Sequence, residues 1–477
     1  MSRQRIFIAI LLAAASGCQV SDESLGEMSA NLGGAAAPID LIAIGQISGS
    51  RADRSHATAG ALENGVAGNL LGGLGSGIAY AGGGLFLAVP DRGPNAVAFN
   101  SAADDTTSYI NRIQTFFMEL DRSRPGAALP FALQPVLLDT TLLHSARPLH
   151  YGTGASVGLP SGVPALNAVR HTHYFTGRSD NFDPSTRSTD PDDARLDPES
   201  IRVSGDGRSV FISDEYGPHV YEFDRWTGER VGSFALPAEF AVPVQSPQGD
   251  VEIANNTVGR VANKGMEGLA ISPDGRTLIG AMQSPLIQDG GTDAQFTRIV
   301  TIDVATGRTR QYAYALTNIG TAAKPKFPTV SEILAINDHE FLVDERDGKG
   351  LGDDSVAAFK QIFHIDLAGA SDVTGRSGAA SLAPAAVAKT LLLDVVAVLT
   401  AHGIAAQDIP AKLEGMAFGP DEVVGGARRH TLWIANDNDF IATVVDSHHP
   451  AGLDNPNQFF VFAIDRSLLP GLELPRR

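Results

Sequence analysis

The feature that most constrains this chain is a diverged internal repeat. Each copy begins with a carboxylate or a small residue and continues as an alternating apolar run. A tight turn then leads into a second apolar run that ends in acidic or amide side chains. Alternation with a period of two is typical of β-strands, and two such runs around a tight turn predict a β-hairpin. The copies begin at Ser76, Glu199, Glu267, Glu332 and Glu414.

Turn residues support this interpretation. Asp206-Gly207 and Asp274-Gly275 join the two runs in two of the copies, and Asp-Gly is a strong hairpin signal because glycine tolerates a positive φ. A third run ending in Asp follows each hairpin, and in two copies a Thr-Gly turn leads into a fourth run. Four antiparallel strands per unit, repeated along the chain, predict an all-β chain folded as a single β-propeller.

The number of units is less clear than their shape. Five copies are evident, and two further apolar runs at 137–143 and 171–175 predict part of a sixth unit, so we expect six blades. The N-terminal run at 39–47 has no hairpin of its own. We expect it to pair with the last run, 459–465, and so to close the ring and remove an exposed strand edge. One stretch, 384–402, has a short helical pattern.

Equivalent residues of successive blades form a ring, because the first strand of each blade lines the central channel of a propeller. Four carboxylates that begin first strands should therefore converge at one mouth: Glu199, Glu267, Glu332 and Glu414. The antiparallel second strands end at the same mouth. Their last residues include Asp91, Asp214, Glu215, Asp437 and Asp439.

Carboxylates held this closely repel one another, so they must bind protons, pair with basic side chains or hold a cation. An all-oxygen ligand set favours a hard divalent cation, and we expect Ca²⁺. The predicted metal ligands are Glu199, Glu267, Glu414, Asp91, Asp214, Glu215, Asp437 and Asp439. The predicted catalytic residues are Glu199, Glu267, Glu332 and Glu414, with Arg92 and Arg346 to orient an anionic substrate group. Alternatively, these carboxylates are fasteners that accept backbone N–H groups and brace neighbouring blades.

Composition narrows the classes of partner. The chain has 54 acidic and 36 basic residues and a formal net charge of -18, without a long basic stripe to offset it. This balance argues against nucleic acid as a partner. The single cysteine excludes an internal disulfide and a thiolate metal cluster.

The lone cysteine lies at the end of a predicted leader. Arg3 and Arg5 precede a short apolar run, and Ala15-Ser16-Gly17-Cys18 resembles a bacterial lipobox. We expect a lipoprotein signal peptide at 1–17, lipid attachment at Cys18, a flexible tether at 18–37 and the propeller at 38–477. The residue after Cys18 is not Asp, which favours the outer membrane. An ordinary secretory signal with an incidental cysteine is the alternative.

Three further motifs are weaker. Gly154–Gly158 matches a nucleophile-elbow pattern but lacks the flanking strand and helix. His171 and His173 have metal-ligand spacing on a strand but no third ligand nearby in sequence. The acidic loop 189–193 lacks the glycine and the final glutamate of an EF-hand, so a solvated turn is expected.

Eight short segments together resemble one known family. They are Asp91–Gly93, Asp214–Pro218, Lys264–Ala270, Gln283–Leu286, Ser331–Leu334, Glu345–Asp347, Leu413–Gly415 and Asn436–Phe440. In this order, from about Ile39 to Asp465, the chain is similar to the phytase-like family with "esterase-like activity of phytase". The resemblance implies a six-bladed propeller exported from a bacterium. It also implies an ester or phosphate-ester hydrolase, with calcium dependence by analogy with propeller phytases, but no established catalytic set.

Taken together, these observations predict an exported, membrane-anchored hydrolase that acts as a monomer on a small-molecule ester or phosphoester with a divalent cation. A bacterial outer-membrane lipoprotein facing the periplasm or the exterior is the expected location. Two alternatives remain open. One is a non-catalytic propeller that binds a ligand or a protein at the cell surface, and the other is a lactonase-like enzyme.

Overall fold

The structure is a computed structural model that describes residues 37–474. The predicted signal peptide and Cys18, and the predicted tether up to residue 36, lie outside these residues. Within the described part, the chain forms five antiparallel sheets of at least four strands each, arranged as the blades of a β-propeller. The all-β prediction is therefore confirmed.

The first strand, β1 (Ile39–Ile47), pairs with the last strand of the chain rather than with its neighbour in sequence. Blade 1 follows, with a short two-stranded ribbon inserted before its outer strand. Its strands are β2 (Gly77–Gly82), β3 (Leu85–Val89), β4 (Arg112–Phe117) and, after the ribbon of β5 (Leu120–Arg122) and β6 (Phe131–Leu133), β7 (Val136–Leu142). The connection to blade 2 contains β8 (His144–Ser145), helix α1 (Ala165–Arg170) and β9 (His173–Tyr174).

Blades 2 and 3 have the simplest connectivity, because each is built from four consecutive strands. Blade 2 contains β10 (Pro198–Val203), β11 (Ser209–Asp214), β12 (His219–Asp224) and β13 (Arg230–Ala235), and helix α2 (Gly249–Ala254) follows it. Blade 3 contains β14 (Met266–Ile271), β15 (Thr277–Met282), β16 (Phe296–Asp303) and β17 (Thr309–Ala315).

Blades 4 and 5 have insertions and a strand from the far end of the chain. Blade 4 contains β18 (Thr329–Ala335), β19 (Glu340–Arg346), β20 (Lys360–Asp366) and, after α3 (Ala379–Leu382) and β21 (Ala386–Val387), β22 (Lys389–Asp394). Strand β21 adds in parallel to β17 of blade 3. After α4 (Val395–Ala401), blade 5 contains β23 (Lys412–Val424), β24 (Ala427–Asp437) and, after the ribbon of β25 (Thr443–Val444) and β26 (Leu453–Asp454), β27 (Asn457–Ile464) together with β1.

Short 3-10 helices lie in the loops between these elements. In the described residues they are His56–Thr58, Ser101–Ala103, Ala155–Val157, Ala238–Phe240, Ile287–Asp289, Gly291–Asp293 and Ala383–Ala385.

The prediction of six blades is wrong, since the described residues contain five. The run predicted at 137–143 is largely β7, the outer strand of blade 1. The run predicted at 171–175 contributes only β9, which pairs over two residues with β8. Glycine, proline and aspartate dominate the rest of this interval, so it lacks the apolar runs that four strands need.

The predicted pairing of the N-terminal run is confirmed. Strand β1 runs antiparallel to β27 from the pair Ile39 and Ile464 to the pair Ile47 and Asn457. Because β1 covers the outer edge of the last strand, it removes unpaired backbone groups from that edge. The two ends of the domain are thereby joined in one sheet.

Five of the six hydrophobic clusters in the described residues lie between two neighbouring blades, and the sixth, a small one, joins Ala313 of β17 to Val373 and Leu382. Buried apolar side chains fill the interfaces of blades 1 and 2, 2 and 3, 3 and 4, 4 and 5, and 5 and 1. In the last of these, the ring of Trp433 from blade 5 packs 4.4 Å from that of Phe86 in blade 1. Each sheet therefore buries both faces, which explains why its strands are apolar on alternate and often on successive residues.

Backbones of neighbouring first strands approach one another closely. A Cβ atom on Gly268 would lie 2.7 Å from the backbone nitrogen of Ile333, and one on Gly415 would lie 2.8 Å from that of Ile78. Both distances are too short for a side chain. The glycine that follows Glu267 and Glu414 in the repeat is thus required by the packing of blade 3 on blade 4 and of blade 5 on blade 1.

The packing of blade 5 on blade 1 can be tested with the two tryptophans of the chain. Trp433 is 1% exposed and Trp226 is 63% exposed. We expect Trp433→Ala to lower the free energy of unfolding by about 3–5 kcal/mol, because it leaves a cavity between the two blades. The control Trp226→Ala should change it by less than about 0.5 kcal/mol. Urea unfolding followed by circular dichroism measures both, and equal effects of the two variants would contradict this packing.

Candidate functional site

The four repeated glutamates lie on the first strands of four blades and are all buried. Glu199 is on β10, Glu267 on β14, Glu332 on β18 and Glu414 on β23, and none is more than 7% exposed. Each lies in or beside an irregularity in the pairing of its strand with the next one. Such β-bulges redirect a side chain out of the regular alternation of the strand.

A second group of carboxylates follows the second strands, as the repeat predicts. Oxygens of Asp91, Asp437 and Asp439 lie within 4.8 Å of one another, where blade 5 meets blade 1. Oxygens of Glu199 and Glu215 form a similar group with Asp197, again within 4.8 Å. Of the predicted residues, Glu199 and Glu215 therefore share one compact acidic group, and Asp91, Asp437 and Asp439 share another.

Basic side chains neutralise part of this charge. Arg92 donates to Asp197 at 2.6 Å and lies 3.8 Å from an oxygen of Glu215. Lys412 is 2.8 Å from Asp437. Each of the two acidic groups is therefore paired with one basic side chain.

A further basic side chain pairs with one of the first-strand glutamates. Arg346, at the end of β19, forms an ion pair with Glu414. Its Nε is buried and has no hydrogen-bond partner among the described residues. Arg346 therefore keeps one donor without a partner beside Glu414 in the described part of the chain.

Glu199 and Glu267 differ from Glu332 and Glu414 because no hydrogen bond or ion pair to their carboxylate oxygens is found among residues 37–474. Oε2 of Glu267 is fully buried. Burial raises the pKa of Glu199 well above its usual range, and the nearby charge of Glu267 raises it further. Burial raises the pKa of Glu267 in the same way, with a further contribution from Glu215. An unpaired buried carboxylate is costly, so these two side chains need a proton or a cation.

The pKa values of several neighbouring carboxylates are raised as well. Burial raises the pKa of Glu215 to about 7, with Asp197 adding to the effect and Lys264 opposing it. It raises the pKa of Asp437 to about 6 in spite of Lys412. The pKa of Asp91 is also raised well above its usual range, by burial and then by Asp437.

The carboxylate of Glu332 connects neighbouring blades and is already occupied by partners. Its carboxylate accepts hydrogen bonds from the Ser200 hydroxyl at 2.9 Å and from the Leu269 N–H at 3.1 Å, and it pairs with Arg202 at 2.8 Å. It therefore joins blade 4 to blades 2 and 3. Burial raises the pKa of Glu332 to about 7, and Arg202 opposes this shift. For this residue the structure supports the alternative interpretation.

The carboxylate of Asp214 is also occupied, in this case by backbone N–H groups. It accepts N–H groups from Asp197, Tyr216 and Gly217 at 2.8–3.1 Å and so shapes the turn after β11. Burial raises its pKa to about 6, and these hydrogen bonds oppose the shift. Its neighbour Glu215 points into the acidic group instead.

Sequence reasoning missed three residues of the site. Asp197 lies two residues before Glu199, and Lys412 lies two residues before Glu414. The two residues therefore occupy equivalent positions in two copies of the repeat, although one is acidic and the other is basic. Asp344 lies within β19, and burial raises its pKa to about 8 although Arg346 opposes the shift. Comparing the residues around each glutamate could have identified the first two, whereas nothing in the pattern indicates Asp344.

A small polar cavity of about 170 Å³ adjoins the acidic groups on the side of Arg92. It is lined in part by Arg92, Tyr216, Arg195, Asp104 and Asn263. Arginine side chains carry several N–H donors for an anionic or hydroxylated ligand, whereas the Tyr216 hydroxyl already donates to the Gly177 carbonyl at 2.8 Å. In the described part of the chain, none of the carboxylates of the two acidic groups lines this cavity, and Arg92 connects it to Asp197 and Glu215.

The weaker motifs are not part of this site. Ser156 is exposed in a single 3-10 turn, without the strand and helix of a nucleophile elbow. No cluster of potential metal ligands includes His171 or His173 in the described part of the chain. The acidic loop 189–193 does lie near a histidine, His150.

Comparison with known proteins identifies the family of this chain. A model of the phytase-like family, described as "esterase-like activity of phytase", matches residues 69–440. The chain belongs to this family. The match includes the four repeated glutamates, Arg92 and Arg346, and it ends just after the acidic residues of β24.

Individual relatives are distant. An "uncharacterized secreted protein" of Arthroderma benhamiae is 29% identical over 283 residues, which are 52% of this chain and 51% of the relative. The chain thus spans about half the length of this curated relative. No helix in residues 37–474 is both long and apolar enough to cross a bilayer.

Similar solved structures include the major allergen of Malassezia sympodialis, at 11% identity and a TM-score of 0.32 over 84% of this chain and 79% of the other. A candidate 6-phosphogluconolactonase of Bacteroides uniformis is 14% identical, with a TM-score of 0.28 over 80% and 88% of the two chains. At these scores, neither similarity bears on the activity of this protein.

The raised pKa values predict a particular pH dependence of stability. Between about pH 4 and pH 8 the folded protein holds protons on these carboxylates that the unfolded chain has lost. In the presence of a chelator, the free energy of unfolding should therefore fall as the pH rises from 5 to 8. Added Ca²⁺ should reverse the loss at pH 8, because it favours the ionised carboxylates.

Denaturant unfolding at the two pH values, with chelator and with Ca²⁺, measures this effect. The free energy of unfolding of the double variant Glu199→Gln, Glu267→Gln should depend less on pH, since the variant lacks two of the carboxylates with raised pKa values. Stability in chelator that stays constant or rises between pH 5 and pH 8 would contradict the arrangement.

Proposed function

We propose that this protein is a hydrolase that acts on an ester or phosphoester of a small molecule with the help of a divalent cation. The observation that carries the proposal is the pair Glu199 and Glu267, which are buried, unpaired and held beside further carboxylates. Membership of the phytase-like family supports the hydrolase assignment.

The donor set fits a hard cation. Oxygens of Asp197, Glu199 and Glu215 lie within 4.8 Å of one another, and Oε2 of Glu267 has no hydrogen-bond partner among residues 37–474. Ca²⁺ takes six to eight oxygen ligands, so these carboxylates, with water and substrate oxygens, suit it. When bound, the cation would polarise a carbonyl or phosphoryl oxygen and offset developing negative charge.

The chain itself would orient the substrate and move the proton. Arg92 borders the cavity, and the unpartnered Nε of Arg346 can donate to an anionic oxygen of the substrate. Glu267, once ionised, would take a proton from the attacking water and pass it to the departing oxygen, and its raised pKa would help it to hold that proton. Hydrolysis would then form one carbon–oxygen or phosphorus–oxygen bond from water and break the ester bond.

We also propose that strand β1 closes a five-bladed ring, since its blade shares one hydrophobic cluster with blade 1. Export is a further proposal, supported by the leader-like N-terminal sequence and by the secreted relative. Attachment to the bacterial outer membrane through a lipid on Cys18, and action as a monomer, complete the proposal.

Glu267 provides the direct test of activity. We expect Glu267→Gln to reduce kcat/KM by about 10²–10⁴-fold, because glutamine cannot accept the proton. The matched control Glu119→Gln changes an exposed glutamate of blade 1 and should keep full activity. Assays on phytate, p-nitrophenyl phosphate, short acyl esters and sugar lactones, with and without chelator, measure the effect.

The substrate panel also distinguishes the alternatives. Ring-opening of lactones alone would indicate the lactonase-like enzyme. A folded protein that turns over none of these substrates, and whose melting temperature Ca²⁺ does not raise, would contradict the proposal and favour a binding propeller.

A further inference from the structure

A third cluster of potential metal ligands lies in the connection between blades 1 and 2, and none of its members belongs to the repeated carboxylates. It consists of His150, Asp190 and Asp193, whose ligand atoms lie within 4.8 Å of one another. The acidic loop looked like a solvated turn in the sequence because His150 lies far from it along the chain.

Backbone hydrogen bonds hold the loop against the histidine. The N–H of His150 donates to the carbonyl oxygen of Asp192 at 2.7 Å, and the N–H of Ala194 donates to the carbonyl oxygen of His150 at 3.0 Å. The side chain of Asp192 pairs with Arg230 at 2.7 Å and so stays out of the cluster. The position of the imidazole relative to the two other aspartates is therefore fixed by the backbone.

Each aspartate uses one oxygen to brace the backbone. Oδ1 of Asp190 accepts the Asp192 N–H at 3.0 Å, and Oδ1 of Asp193 accepts the Asp183 N–H at 2.8 Å. Asp193 is only 3% exposed, and its Oδ2 is buried with no hydrogen-bond partner among the described residues. A buried carboxylate oxygen without a partner is costly, so this carboxyl group needs a proton or a cation.

Distances within the cluster fit a metal better than direct hydrogen bonds. Nδ1 of His150 is 3.7 Å from Oδ2 of Asp190 and 3.8 Å from Oδ1 of Asp193. Both separations are too long for hydrogen bonds. Ligand atoms about 2.0–2.2 Å from a tetrahedral metal ion lie roughly 3.4 Å apart, so a small adjustment would admit an ion.

We propose that His150, Asp190 and Asp193 bind Zn²⁺ or a similar divalent transition metal. An imidazole with two carboxylates favours Zn²⁺ over Ca²⁺, which prefers oxygen alone. The side chain of His150 is 47% exposed, so the ion can enter from solvent and keep water as a further ligand. The ion would tie the acidic loop to the chain segment that carries His150.

Zinc titration of the full-length protein tests this proposal. Isothermal calorimetry should show a Zn²⁺ site whose affinity falls at least about tenfold in His150→Ala. His448→Ala removes another exposed histidine that lies outside the cluster and should keep the site. The double variant Glu199→Gln, Glu267→Gln should also keep it, which separates this site from the proposed catalytic one.

Cobalt provides a second readout that does not depend on activity. Co²⁺ bound to the parent protein should give a visible absorption band that His150→Ala and Asp193→Asn both lose, with unchanged circular dichroism. Equal Zn²⁺ affinity and stoichiometry in the parent and in His150→Ala would overturn the proposal. So would a parent protein that binds neither Zn²⁺ nor Co²⁺.

Discussion

Packing between blades is the constraint on which the rest of this structure depends. Every sheet buries both faces against its neighbours, and the five hydrophobic clusters lie at these interfaces. This packing brings the first strands so close together that only glycine fits after Glu267 and Glu414. A Cβ atom at either position would overlap the backbone of the next strand. The glutamates that begin these strands are brought together as a consequence. The site is thus a product of the same contacts that stabilise the fold.

The same packing makes the site electrostatically costly. Carboxylates that would be hydrated on a surface are removed from water, and each raises the pKa of its neighbours. Arg202, Arg92 and Lys412 offset part of this cost at Glu332, Asp197 and Asp437. In the part of the chain that the structure describes, no basic side chain forms an ion pair with Glu199 or Glu267. Purely structural carboxylates would be expected to resemble Glu332, whose oxygens all have partners, so the contrast between the two kinds of glutamate favours a functional role for the unpaired pair.

The sequence predicted the parts of this arrangement that repeat. Alternating apolar runs and Asp-Gly turns indicated the hairpins, and equivalent positions indicated which glutamates converge. A sixth blade was predicted wrongly, because an apolar run such as that of β7 does not reveal which sheet it joins. The helical pattern at 384–402 was wrong in its first part, where Lys389–Asp394 pairs with β20 as the outer strand of blade 4. Tertiary pairing overrode local preference there.

Long-range partners account for what the sequence could not show. Nothing local distinguishes Asp214, which is occupied by backbone N–H groups, from Glu215, which faces the acidic group. The most direct test of the central claim is an anomalous difference map from crystals soaked in Tb³⁺, a heavy stand-in for Ca²⁺. We expect a peak within about 2.6 Å of carboxylate oxygens of Glu199 and Glu267. A map without density there, from a crystal of the active protein, would contradict a cation site built from these buried glutamates.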